Sequence, residues 1–240
     1  MMGKSPFFTV HSDLPREGPG VPDDVRWALD VAGTPDRARI CDAACGPGAD
    51  TVTLAEERPQ ASIDAVDLQD QFVAAAKART ARFGTRVRIE QRDYSDLPGD
   101  YDLIWSAGAA YFVGYLKALE MWWHRLLPGG AIAFSEPVFV TDPPSAAVRT
   151  FWDPYDPAMT VPDVSRSLKA AGWQVVGERL IIGEPWKAYY DPMRERLAML
   201  RASEPDEALL DAIIEDEEEI AQWEAAADEI AYGLFVVRPA

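Results

Sequence analysis

Along this chain, short apolar runs alternate with longer stretches in which apolar residues recur every three or four positions. The runs 39–44 (RICDAA) and 63–68 (IDAVDL) are bounded by turn residues and enclose a helical stretch at 50–58, which together predict a β-α-β unit. The alternation continues with helix 70–82, strand 87–91, strand 101–106, helix 113–127 and strand 131–136, the last entered through Pro128, Gly129 and Gly130. Strands alternating with helices predict a doubly wound α/β fold with a mostly parallel sheet.

The rhythm changes at 137–162, where six prolines share the chain with Phe139, Phe151, Trp152 and Tyr155; this composition predicts a loop or lid. Helix 164–171, stopped by Gly172, leads into strand 174–182, apolar enough to be central or near-central. A helical insertion at 186–229 follows, with Ser203 before Pro205 as the N-cap of its second half. Leu209, Ile213, Ile220 and Trp223 give that half an apolar face, and the run from Glu215 to Glu219 reads as its solvated side. Strand 232–238 closes a seven-stranded sheet. The expected division is one domain over 1–240: an N-terminal lid and helix (1–34), a cofactor-binding core (35–136), the 137–162 lid, and a C-terminal part (163–240) with the helical cover 186–229.

Composition narrows the functions available. Hydrophobic residues make up 48% and charged residues 26% of the 240, an ordinary globular balance. Forty acidic against 23 basic side chains give a net charge of −17, a field that repels nucleic acid and anionic membranes. The arginines at 79, 82, 86, 88 and 92 read as a solvated helix and strand end. Cys41 and Cys45 are too few for a disulfide framework, and no apolar run reaches membrane-spanning length, so a cytoplasmic protein is expected. With His11 and His124 the only histidines, no metal site is expected.

The first strand leads into Asp42-Ala43-Ala44-Cys45-Gly46-Pro47-Gly48-Ala49-Asp50-Thr51, which puts glycines where a strand turns sharply into a helix beside a ligand. A dinucleotide fingerprint would need glycine at the position of Thr51. The turn resembles instead the first motif of the class I S-adenosylmethionine (AdoMet)-dependent methyltransferases, an acidic residue followed by a Gly-rich turn, and the likeness extends over about residues 35–140. The resemblance implies that Asp42, Ala44, Cys45, Gly46 and Gly48 form the cofactor turn. It further implies that Asp67, followed by Leu68, grips the ribose hydroxyls, and that Asp93 and Tyr94 meet the adenine. Leu126 to Gly130 is similar to the family's L-x-P-G-G turn. Read without the resemblance, Gly46 and Gly48 end a strand, Asp67 caps a helix and Asp93 forms a turn. Asp64 competes for the ribose role, but period-2 alternation leaves Asp67 at the strand tip. Relatives often have Gly at the position of Ala44, which is unstrained here only if its φ is negative.

The fold and activity implied are AdoMet-dependent methylation of a small-molecule acceptor by in-line displacement, releasing S-adenosylhomocysteine. Such a reaction needs positioning more than a catalytic dyad. Tyr111 and Glu136 lie where the strands' carboxyl ends emerge and are the catalytic candidates; a core aromatic and a structural hydrogen bond are the competing readings. The N-terminal segment resembles the leading segment of some bacterial small-molecule methyltransferases, which implies Arg16 facing the cofactor carboxylate and His11 near the acceptor. Trp186, Tyr189 and Tyr190 share a helical face, and with Trp152 and Tyr155 they either roof an acceptor pocket or pack the core of the insertion. A homodimer is compatible with this reading. Two rival functions stand beside it: a binding or assembly protein without turnover, and a dinucleotide-dependent oxidoreductase.

Overall fold

In chain order, helices α1 (Pro6–Val10) and α2 (Pro22–Val31) precede β1 (Arg39–Ala43), α3 (Ala49–Glu57), β2 (Ser62–Asp67), α4 (Asp70–Thr80), β3 (Val87–Gln91) and β4 (Tyr101–Ser106). They are followed by α5 (Tyr115–Trp122), β5 (Leu126–Phe139), α6 (Ala146–Trp152), β6 (Met159–Thr160), α7 (Val161–Ala170) and β7 (Trp173–Ile181), then α8 (Glu184–Arg201), α9 (Glu207–Ala225) and β8 (Ile230–Pro239). The computed structural model describes residues 5–155 and 159–240. The sheet runs β3-β2-β1-β4-β5-β8-β7, parallel as far as β5, with β8 antiparallel to both β5 and β7. The seven expected strands are joined by an eighth, the two-residue β6, which pairs with β5 beyond the end of β4.

The inner strands are apolar at consecutive positions because both faces are covered. Ile40, Leu103, Ala131 and Leu234 belong to one core cluster, whereas their sequence neighbours Cys41, Ile104, Ile132 and Phe235 belong to the other. The β1-α3-β2 and β2-α4-β3 units step outward from β1, and the chain then returns to lay β4 against the opposite edge of β1. This reversal opens a crevice at the carboxyl ends of β1 and β4, the position at which doubly wound sheets bind ligands.

Several expected boundaries move. Helix 113–127 shortens to α5, because Gly114 at φ +85° interrupts its start and Leu126 and Leu127 already lie in β5. The strand expected at 131–136 becomes the 14-residue β5, which takes in the Pro-Gly-Gly turn and Pro137. The loop at 137–162 contains α6, whose start is capped by the Ser145 side chain accepting from Val148 N at 3.3 Å; its residues 156–158 lie outside the described residues. β7 is an edge strand, not a central one. Its apolar residues are covered by α2 and α7 packed against it rather than by a strand on each side.

The insertion folds as two helices, and the cap of the second falls at Asp206, whose side chain accepts from Leu209 N at 2.9 Å. Ser203 instead finishes the preceding helix, its hydroxyl donating to Leu200 O at 2.7 Å. As expected, Ile213, Ile220 and Trp223 are buried. Asp206→Ala should lower stability by about 1 kcal/mol in urea denaturation, whereas Ser203→Ala, on an exposed bond, should change it by less than half of that.

Candidate active site

The turn after β1 is a run of left-handed backbone: Ala44 (φ +62°), Gly46 (φ +53°) and Gly48 (φ +86°). Gly48 is confined twice over, since a Cβ there would lie 3.0 Å from the Ala76 Cβ and 3.1 Å from its Cα. Ala44 carries its Cβ in a conformation that costs a non-glycine residue on the order of 1 kcal/mol, so the unstrained alternative does not hold. Hydrogen bonds hold this shape. Cys45 N donates to Val66 O (2.9 Å), Gly46 N donates to Asp67 Oδ2 (2.8 Å), and Gln69 N donates to Asp67 Oδ1 (2.9 Å). Asp42, 2% exposed, accepts from the Thr51 hydroxyl in the first turn of α3 at 2.5 Å. Burial, with Asp50 nearby, pushes the pKa of Asp42 up to about 8. From α4, Arg79 donates to Pro47 O and Pro15 O, both at 2.7 Å, which ties the N-terminal segment to the turn.

Above the turn lies a cavity of about 870 Å³ at the carboxyl end of the sheet. Asp67 and Leu68 line it with the turn, and Tyr94 joins them, its carbonyl accepting from Trp122 Nε1 at 2.8 Å. Asp64 does not line it; its carboxylate accepts from the Tyr101 hydroxyl at 3.1 Å. Asp67 uses one acceptor position on each oxygen for the two backbone amides, and a carboxylate has about four. Two remain for the hydroxyls of a vicinal diol to donate to, so this acceptor set fits the ribose of a nucleoside.

Residues 40–130 match the family model described as "Methyltransferase domain". These residues are thus similar to a methyltransferase domain. A trans-aconitate 2-methyltransferase of Deinococcus radiodurans is 33% identical over 101 residues, an alignment that covers 42% of this chain and 38% of that protein. The chain thus spans well under half the length of that curated relative. A SAM-dependent methyltransferase from Geobacter sulfurreducens, solved in complex with S-adenosyl-L-homocysteine, superposes with a TM-score of 0.86 at 21% identity over 98% of both chains. The [4+2]-cyclase SpnF shares the fold at a TM-score of 0.71 and 19% identity, over 91% of this chain and 81% of SpnF.

Beyond the turn, the cavity is roofed by the C-terminal helices and the N-terminal segment. All five acceptor-side residues proposed from sequence, His11, Trp152, Tyr155, Trp186 and Tyr190, line the cavity, as does Tyr111. The Tyr111 ring stacks on Tyr232 at 5.9 Å and meets Tyr155 edge-on at 5.2 Å. Arg16 also lines the cavity, but its guanidinium is engaged by Gly18 O, Gly20 O and Asp50 Oδ1, the last at 3.0 Å.

Three candidates lie outside the lining, Gly48 of the turn among them. Asp93 is exposed and lies outside the lining, its carboxylate accepting from Ser95 N at 2.8 Å, which matches the turn-forming alternative. Glu136, 9% exposed, faces Gly233 across the β5–β8 pairing and is likewise outside the lining. Burial pushes its pKa up to about 8, and its Oε2 has no hydrogen-bond partner among the described residues.

The sequence reading missed Glu17, Asp216 and Glu219, which line the cavity. The signal was present. Position 216 is three residues past Ile213 and seven before Trp223, so it shares their inward face, and 219 adjoins Ile220. His11 lies between two of these carboxylates, its Nδ1 2.6 Å from Glu17 Oε2 and its Nε2 3.6 Å from Asp216 Oδ1, with Phe7 stacked on the ring at 4.1 Å. Burial disfavours its charge, but Asp216 and Glu17 outweigh burial and push its pKa up to about 9.

His11 therefore enters the fold as an imidazolium. Its contribution to stability is fully present below the free value of 6.5 and is lost as pH rises through about 9. The His11 ring resonances should titrate near 9 by NMR, and the melting temperature should fall between pH 7 and 10 by more in the wild type than in His11→Asn.

Proposed function

We propose that this chain transfers a methyl group from AdoMet to a small-molecule acceptor and releases S-adenosylhomocysteine. The observation that carries the reading is Asp67. It is held at the switch point by the amides of Gly46 and Gln69, with acceptor capacity left facing the cavity. The bound cofactor would supply an electrophilic methyl on a sulfonium. The protein's part is to hold and orient. Asp67 receives the ribose hydroxyls, the left-handed turn at 44–48 brings the backbone close to the ligand, and the aromatic wall excludes water from the acceptor. Tyr111, whose pKa is raised by burial, stays a neutral hydroxyl and acts by positioning.

A dinucleotide enzyme fits less well. Where its fingerprint needs the third glycine stands Thr51, whose hydroxyl is committed to Asp42. The relatives' acceptor, trans-aconitate, comes with an alignment over less than half of their length, so the lining of this cavity is the better guide to the acceptor.

In calorimetric titration the protein should bind AdoMet and S-adenosylhomocysteine at micromolar concentration and leave NAD unbound. Asp67→Ala should weaken AdoMet at least tenfold, and an unchanged affinity would remove the ribose assignment.

A further inference from the structure

The cavity contains far more acid than base. Nine of its lining side chains are carboxylic acids, against two basic groups, Arg16 and His11. Both bases are already engaged, Arg16 by Asp50 at 3.0 Å and His11 by Glu17 and Asp216. Glu219 has no basic side chain within ion-pair distance among the described residues; its Oε1 accepts only the Tyr190 hydroxyl, at 2.8 Å. Burial raises its pKa, the mark of a carboxylate that would be stabilised by a cation. Around it the walls are aromatic side chains, whose ring faces are electron-rich. Tyr111 and Trp186 each stack on Tyr232, at 5.9 and 5.3 Å, and Trp152 lies 5.4 Å from the same ring. Such faces attract organic cations and repel anions. A second, independent feature is Trp152, which lines the cavity and is 3% exposed, and whose Nε1 has no hydrogen-bond partner among the described residues.

We propose that the methyl acceptor is a basic amine on an aromatic or apolar body, its nitrogen received by Glu219 and its body held between Trp152, Trp186 and the tyrosines. The proposal rests on the methyl-transfer reading above. A polycarboxylate is the opposite case, since it would bring further negative charge to a wall with no free basic group among the described residues. In the transfer itself, the lone pair of the neutral amine forms the new N–C bond. The bond from the methyl carbon to the donor sulfur breaks and leaves its electron pair on sulfur. The proton that the bound ammonium must lose to free this lone pair passes beforehand to the Glu219 carboxylate, and the methylated nitrogen carries the positive charge that sulfur gives up.

The test uses the full chain saturated with S-adenosylhomocysteine and titrated calorimetrically with benzylamine, phenethylamine and tryptamine. Each amine is paired with its hydroxyl counterpart, and citrate serves as the tricarboxylate. At least one amine should bind tenfold or more tighter than its alcohol, and citrate should not compete. Glu219→Gln should erase most of that preference while leaving S-adenosylhomocysteine affinity within twofold. Incubation with AdoMet should then give the N-methyl product by mass spectrometry. Equal binding of amine and alcohol, binding of citrate, or no binding by any amine would overturn the proposal. The wild-type comparison decides the matter even if the variant fails to fold. Failure of S-adenosylhomocysteine to bind would instead sink the cofactor reading, and the amine preference would still be measured on the unliganded protein.

Discussion

The left-handed backbone at Ala44, Gly46 and Gly48 is the constraint from which the rest of the site follows. It turns the chain from β1 into α3 in so few residues that the start of the helix, the end of the strand and the tip of β2 meet at one point. The conformation is intrinsically unfavourable at Ala44. It persists because Asp67 and Val66 take up the amides of Gly46 and Cys45, and because Ala76 of α4 leaves no room for a side chain at Gly48. The residue best placed to meet a ribose is therefore also a structural part of the turn. Substituting it disturbs backbone and ligand together, so binding measurements at this position need a stability measurement beside them.

The other half of the cavity is built on different principles. Its walls come from α1, α6, α8 and α9, elements distant in sequence that meet through aromatic packing. Trp186 is the shared neighbour of Phe151, Trp152, Tyr190, Trp223 and Tyr232. Into this apolar setting the chain places carboxylates with few cations. The strong net negative charge of the protein is thus not only a matter of its surface, since part of it is concentrated around the acceptor space.

The parts of the molecule legible in the sequence are those set by local rules. The β-α-β alternation, the glycine turn and the position of Asp67 at a strand tip each depend on a few adjacent residues. The parts that moved depend on partners elsewhere in the chain. An apolar strand such as β7 reports that it is covered, not whether a strand or a helix covers it. The proline-rich stretch hid α6 because prolines 143 and 144 stand just before its capped start, where they cost the helix nothing. A run of acids in α9 looks solvated until its spacing is compared with that of Ile213 and Trp223, which turns Asp216 inward. Asp93 and Glu136 were placed by analogy and by strand order, and neither rule fixes where a side chain ends up.

The guanidinium of Arg79 has a mechanical consequence. By holding Pro47 of the turn and Pro15 of the N-terminal segment in one grip, it couples the floor of the cavity to the segment that carries His11 and Glu17. That segment is in turn joined to α9, where α1 packs against it. Floor, front and roof are therefore linked in series, with the N-terminal segment in the middle. The middle member bears on both of the others, so the single guanidinium that anchors it to the floor also fixes where the roof is held from the front.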